Sequence, residues 1–136
     1  MMKEILFKGK RVDNGEWVYG FLVEALNCVT DKNETFIIEQ DATYFTYGEF
    51  ACAVEVKTET VGQFTGLCDK NGKKIFEGDI LLKGFEKVLV KWNANQCRWG
   101  IYSNNYEICG FNESTQGYFE VIGNKWDNSE LIGEEQ

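Results

Sequence analysis

The chain has 136 residues, 14 basic and 22 acidic side chains, and a formal net charge of −8. It contains no His and no Pro, and 43% of its residues are hydrophobic. This length forms one domain or two small ones, and the apolar content argues against wholesale disorder. The absence of His excludes Ser-His-Asp triads, Cys-His dyads and His-liganded metals.

The strongest local signal in the first part of the chain is Asn14-Gly15, because both residue types tolerate positive φ. Apolar residues alternate before it, at Ile5 and Phe7, and after it along residues 17–23. These two segments predict a β-hairpin. Residues 17–23 also form the longest apolar run, far short of the roughly 20 residues that span a bilayer.

The next segments are less regular. Residues 27–34 are polar and predict a loop, and residues 36–39 predict a short strand. Residues 41–56 fit neither the helical nor the strand period, so a helical turn is one option there. Asn71-Gly72 then repeats the hairpin signal.

Short alternating segments follow one another after Gly78. Five strands are predicted, over residues 79–83, 86–92, 98–102, 106–111 and 118–122. Five twisted strands in so short a stretch fit a small SH3-type barrel. The sequence therefore predicts an all-β protein of short antiparallel strands, in which a β-rich region (1–66) packs on an SH3-like barrel (67–136). Residues 128–131 are expected to form one helical turn.

Five Cys stand at irregular spacing, at positions 28, 52, 68, 97 and 109. No pair has Cys-x-x-Cys spacing, and an odd number fits a disulfide framework poorly. We expect reduced thiols, no metal and no cofactor. Residues 1–12 lack the apolar core of a signal peptide, so we expect a cytoplasmic protein that does not enter a membrane.

The acidic chain has a basic stretch. Residues 70–98 hold seven basic and three acidic residues, whereas residues 99–136 hold one basic and seven acidic residues. Aromatic rings stack on bases and basic groups contact phosphates, so this stretch predicts a binding surface. Its members are Lys87, Lys91, Trp92, Arg98, Trp99 and Tyr102. The alternative is that the two Trp fill the core while the Lys side chains cover a solvated strand face.

Glu77 and Asp79 form the one carboxylate pair with a spacing that suggests chemistry. On a strand they share a face, as a glycoside hydrolase or a Mg²⁺ site requires of its carboxylates. Gly78-Asp79 also fits a tight turn in which Asp79 accepts backbone N–H bonds. No catalytic residue is assigned.

Several blocks together resemble the YopX family of small phage and prophage proteins. The matching blocks are residues 7–11 (FKGKR), 15–20 (GEWVYG), 60–67 (TVGQFTGL), 69–73 (DKNGK), 75–80 (IFEGDI) and 119–124 (FEVIGN). The resemblance implies an SH3-like C-terminal part and a phage or prophage genome in a bacterial host. It implies no catalytic residue. Many members have Pro before the glutamate-threonine-valine run, where this chain has Lys57-Thr58.

These observations favour a non-enzymatic binding or regulatory module. A protein partner or a homo-oligomer is favoured because an acidic chain repels a phosphate backbone. Nucleic-acid binding by residues 70–98 is one alternative, and a carboxylate hydrolase around Glu77 and Asp79 is another.

Overall fold

The computed structural model describes residues 4–39 and 53–132, except residue 28 and the side chain of Asn27. These residues form strands and three single 3₁₀ turns, and every strand pair is antiparallel. The strands are β1 (Phe7–Lys10), β2 (Trp17–Asn27), β3 (Lys32–Glu39), β4 (Ala53–Glu55), β5 (Gly62–Cys68), β6 (Lys74–Phe76), β7 (Asp79–Lys83), β8 (Glu86–Asn93), β9 (Arg98–Ser103), β10 (Tyr106–Gly110) and β11 (Glu120–Asn124). The all-β prediction is confirmed.

The chain divides into two compact units, Met1–Gln63 and Phe64–Gln136. In the first unit the strand order is β4-β3-β2-β1, with Gly62 and Gln63 of β5 beside β1. The Asn14-Gly15 hairpin is confirmed: β1 pairs with β2, and Gly15 has φ 74°. Residues 62 and 63 are the only part of β5 in this unit.

The loop predicted at residues 27–34 is wrong at both ends, although residues 29–31 do form a turn. β2 continues to Asn27 and β3 begins at Lys32, and these two residues pair directly across a turn. Backbone hydrogen bonds to a partner strand do not depend on side-chain polarity. Hydrophobic periodicity therefore does not detect a strand pair whose side chains are polar and exposed. The helical turn considered for residues 41–56 is also wrong for 53–56, which form β4 and a bridge to Arg11. Residues 41–52 lie outside the described part.

The core of the first unit lies on one face of its sheet. Val18, Ile37 and Val56 are buried together. Gly9 packs so closely against them that a Cβ there would stand 3.1 Å from Cβ of Val56. A side chain at position 9 would therefore push into the core.

In the second unit, five strands form a sheet of order β10-β9-β8-β7-β11. The five predicted strands are present: β7 has the predicted bounds, and the ends of the other four shift by at most two residues. β11 starts later than predicted because Gln116–Tyr118 forms a 3₁₀ turn. β10 and β11 stand at opposite ends of this order, so the described sheet is open and the barrel closure is not confirmed. The Asn71-Gly72 hairpin between β5 and β6 is confirmed, with Gly72 at φ 85°.

Ile80 and Leu89 are buried on one face of this sheet, and the larger core cluster of the second unit lies on the other face. The buried members are Ile75, Leu81, Val88, Val90, Ile101, Phe111 and Phe119. Register explains the set, since Leu81 faces Val88 and Val90 faces Ile101. Each such side chain contributes about 1.5–3 kcal/mol by leaving water.

A buried carboxylate ties the Asn71-Gly72 turn to the last strand. Oδ1 of Asp69 accepts the N–H groups of Asn71 and Lys73 at 2.8 and 2.9 Å, and Oδ2 accepts the N–H of Val121 at 3.0 Å. Asp69 thus accepts from its own turn and from a donor 52 residues further along the chain.

Candidate binding surfaces

The six residues predicted to form a binding surface lie on β8 and β9, but they divide between the two faces of the sheet. Trp92 pairs with Trp99, two positions along from the core pair Val90 and Ile101. Because side chains alternate along strands, both Trp side chains lie on the core side. The other four residues, Lys87, Lys91, Arg98 and Tyr102, lie on the opposite face by the same register.

On that opposite face, side chains of three strands form what we term the polar cluster: Lys91, Asn93, Arg98, Tyr102 and Glu107. Glu107 is its centre. Oε1 of Glu107 accepts Nη2 of Arg98 at 2.5 Å, and Oε2 accepts Nδ2 of Asn93 at 2.9 Å. Nζ of Lys91 lies 4.7 Å from the centre of the Tyr102 ring.

Two glycines provide the space for the polar cluster. A Cβ on Gly100 would collide with Oε2 of Glu107, and a Cβ on Gly110 would lie 3.2 Å from the Arg98 guanidinium. Gly100 and Gly110 face each other across β9 and β10. The long side chains therefore lie flat over bare backbone.

The charged groups of the polar cluster interact mainly with one another. The hydrogen bond from Arg98 lowers the pKa of Glu107, with a second contribution from Asn93. The same contact raises the pKa of Arg98. Burial raises the pKa of Tyr102, and the Glu107 charge adds to this. Because Arg98 is paired with a carboxylate, its charge is poorly available to an external phosphate.

Sequence reasoning missed Asn93 and Glu107. Glu107 pairs directly with Tyr102 beside the Asn104-Asn105 turn, and the register shift comes after it, between Glu107 and Cys109. Recognising that turn between β9 and β10 is therefore what places Glu107 on the face of Tyr102.

The Trp pair has a different environment. The rings of Trp92 and Trp99 meet edge to face with centres 5.1 Å apart. Trp99 packs against the core of the second unit, whereas Trp92 is 44% exposed. A nucleic acid whose bases stacked on both Trp rings would therefore contact the face of the sheet opposite to Lys91 and Arg98.

Glu77 and Asp79 differ in how far their carboxylates are exposed. Asp79 is buried, and its Oδ2 accepts the N–H of Phe76 at 2.8 Å, which closes a turn around Gly78 at φ 89°. Glu77 is partly exposed. Within the described residues, no group of three Cys, Asp or Glu side chains could hold a metal ion. Asp79 has a structural contact in this turn.

A second surface, on the first unit, was not predicted. We term it the apolar face: the side of β2, β3 and β4 opposite the core, where Phe21 faces Ile38 and Val23 faces Phe36. Phe21 is 53% exposed. A groove of about 230 Å³ runs along this face, lined by Val23, Ala25, Phe36, Ile38 and Ala53.

The sequence did carry a signal for the apolar face. β2 is apolar on both faces, with Val18 and Leu22 on the core side and Phe21 and Val23 on the other. A strand with one solvated face normally alternates apolar and polar residues. Two-sided apolarity in a strand with a single core face therefore marks an additional contact surface.

A polar hollow adjoins the groove and shares Ala53 with it. Its volume is about 560 Å³, and its walls include Arg11, Asp13, Glu39 and Glu55. Arg11 is paired with Asp13 at 2.8 Å. The hollow thus presents two further carboxylates beside an apolar surface.

Comparison with known proteins gives a family and a fold. The family model described as "YopX protein" matches residues 7–133. The crystal structure of protein EF1440 from Enterococcus faecalis is similar with a TM-score of 0.58 and 21% identity, over 97% of this chain and 100% of that one. No curated protein matches the chain. Among the described residues, no helix is long and apolar enough to cross a membrane.

Proposed function

We propose that this chain, which belongs to the YopX family, is a non-catalytic module that binds a protein partner through the apolar face of its first unit. The observation that carries the proposal is the exposed groove with its flanking Phe21. Contiguous exposed apolar surface on a soluble domain commonly marks an interaction site. The core of this unit occupies the other face of the same strands.

The surroundings of the groove indicate the chemistry of the partner. An interface has an apolar centre and a polar rim. Here Val23 and Phe36 supply the centre, and Glu39 and Glu55 lie in the adjoining hollow. A partner with apolar side chains next to a Lys or Arg would match both. The charge of −8 favours the same kind of partner.

Substitution on the two faces of β2 tests this proposal. Phe21→Ser removes an exposed ring from the apolar face, and Leu26→Ser is the matched control, since Leu26 is 56% exposed on the opposite face. Purified protein is used to capture partners from a bacterial lysate, and sedimentation velocity measures self-association. We expect Phe21→Ser alone to lose the partner or the dimer. Retention by Phe21→Ser, or equal loss in both variants, would contradict the proposal.

The family resemblance supports the remaining parts of the proposal. These are a phage or prophage gene, action in the cytoplasm of the bacterial host, and closure of the second unit as an SH3-like barrel. Absence of catalysis is also part of it. The buried contact of Asp79 with Phe76 supports a structural role for this carboxylate over a role in hydrolysis.

A further inference from the structure

One end of the sheet in the second unit bears three exposed aromatic rings, which we term the aromatic rim: Phe85, Tyr106 and Tyr118. They are 104%, 77% and 64% exposed, more than any other aromatic side chain in the described part of the chain. Phe85 lies in the turn between β7 and β8, and Tyr106 begins β10. Tyr118 ends the 3₁₀ turn before β11.

The register brings these rings to the same end of the sheet. Lys83 pairs with Glu86 around the Phe85 turn, and Ser103 pairs with Tyr106 around the Asn104-Asn105 turn between β9 and β10. Glu120 pairs with Leu82, which places Tyr118 close to the Phe85 turn. Nζ of Lys83 lies 5.7 Å from the centre of the Tyr118 ring. From β10 to β11 there are four strand spacings, so the rim is roughly 19 Å wide at about 4.8 Å per strand.

We infer that the aromatic rim binds single-stranded nucleic acid by stacking unpaired bases on Phe85, Tyr106 and Tyr118. Exposed rings accept the π-face of any base, while nearby basic side chains contact the phosphates. Lys83 and Lys87 flank Phe85 in sequence, one on each face of the sheet by strand alternation, and both are exposed. This combination differs from the apolar face, where the groove is lined by aliphatic residues and one Phe. The inference does not rest on the proposed protein partner.

Ring contacts also explain why the rim suits single strands rather than a duplex. The bases of a duplex are stacked on one another and offer no free face to a side chain. The polar cluster keeps Arg98 paired with Glu107, so it adds little phosphate affinity elsewhere.

Fluorescence anisotropy at low salt tests the inference, with a labelled oligothymidylate of about 12 nucleotides, a length within the range that one OB fold occupies. A duplex of the same length is the second probe. We expect binding of the single strand only. Phe85→Ala and Tyr118→Ala should each weaken it by roughly 5- to 150-fold, the range measured for one stacked base. Phe85 is fully exposed, so its removal leaves the fold intact.

Phe21→Ala is the matched control, because it removes an exposed Phe from the first unit. It should bind the oligonucleotide as the wild type does, and Phe85→Ala should keep any partner of the apolar face. Failure of either proposal is thus separable from failure of the other.

Salt dependence gives a further readout. If Lys83 and Lys87 each contact one phosphate, the logarithm of affinity should fall with the logarithm of salt with a slope of about −1.4, and Lys87→Ala should halve that slope. Absence of binding at tens of micromolar protein would overturn the inference. Equal affinity for the duplex would do the same, as would unchanged binding by both aromatic variants. A rim that captures a protein but no oligonucleotide would also overturn it.

Discussion

Gly78→Ala should destabilise the second unit through two separate effects. Gly78 has φ 89°, and an L-residue in this left-handed region costs roughly 1–2 kcal/mol. A Cβ there would also lie 2.5 Å from Cζ3 and Cη2 of Trp126, and such overpacking costs about 1–3 kcal/mol. The turn cannot easily shift away, because the N–H of Gly78 donates to Val90 and its carbonyl accepts the N–H of Lys125, both at 2.9 Å. The expected loss is about 2–5 kcal/mol.

Gly72→Ala is the matched control, because Gly72 has φ 85° and nothing within 4 Å of its Cβ position. It should lose only the backbone share, about 1–2 kcal/mol. Urea unfolding followed by circular dichroism gives both free energies of unfolding. Trp126→Ala in the Gly78→Ala background should recover the packing share in a double-mutant cycle. Equal losses at positions 72 and 78, or no coupling to Trp126, would refute the assignment of the extra cost to that ring.

Three further predictions concern the second unit. Asp69→Asn should lower the free energy of unfolding by about 2–3 kcal/mol in urea titrations, because a charged acceptor of backbone N–H groups is replaced by a neutral one; a loss under 0.5 kcal/mol would contradict this. Burial by itself raises the pKa of Asp69, but the N–H groups of Val121, Lys73 and Asn71 outweigh it and hold that pKa below its ordinary value. The contribution of Asp69 to stability is therefore complete above the unfolded pKa of about 3.9, and it disappears as pH falls through the lower folded pKa. Thermal unfolding between roughly pH 5 and 2 should then show a shallower pH dependence in Asp69→Asn than in the wild type. Ile101→Ala should lower the free energy of unfolding by about 2–5 kcal/mol, because it leaves a cavity in the core. Ile108→Ala changes a side chain that is 47% exposed and should cost far less by the same measurement. Similar losses in the two variants would show that the core is assigned wrongly.

Turns and core strands were predictable because their signals are local. Asn14-Gly15 and Asn71-Gly72 each predict a hairpin from two adjacent residues, and both Gly have positive φ. Asn104 and Asn105 carry the same signal, with φ 51° and 69°, and the sequence reading passed over it. Strand ends differed where a neighbouring 3₁₀ turn took residues that alternate like a strand, as before β11.

The surfaces were harder to predict because they depend on register between strands. Side chains alternate along a strand, so the sequence of β8 by itself puts Trp92 and Lys91 on opposite faces of the sheet. Placing Arg98 and Tyr102 with Lys91 requires knowing how β9 pairs after the four-residue turn. Placing Glu107 requires the pairing of β9 with β10 across the Asn104-Asn105 turn as well. The apolar face was visible as two-sided apolarity in β2, but the polar arm beyond it hid the length of the hairpin.

The position of β11 has a consequence for synthesis. This strand pairs with β7, about forty residues earlier in the chain, and its Val121 binds Asp69. While the ribosome is still making residues 84–119, the outer edge of β7 and Oδ2 of Asp69 lack their final partners. The unit can therefore complete its sheet only when almost all of its chain has emerged. A ribosome that stalls before residue 120 would leave a nascent chain with an open strand edge, the kind of product that chaperones and proteases recognise.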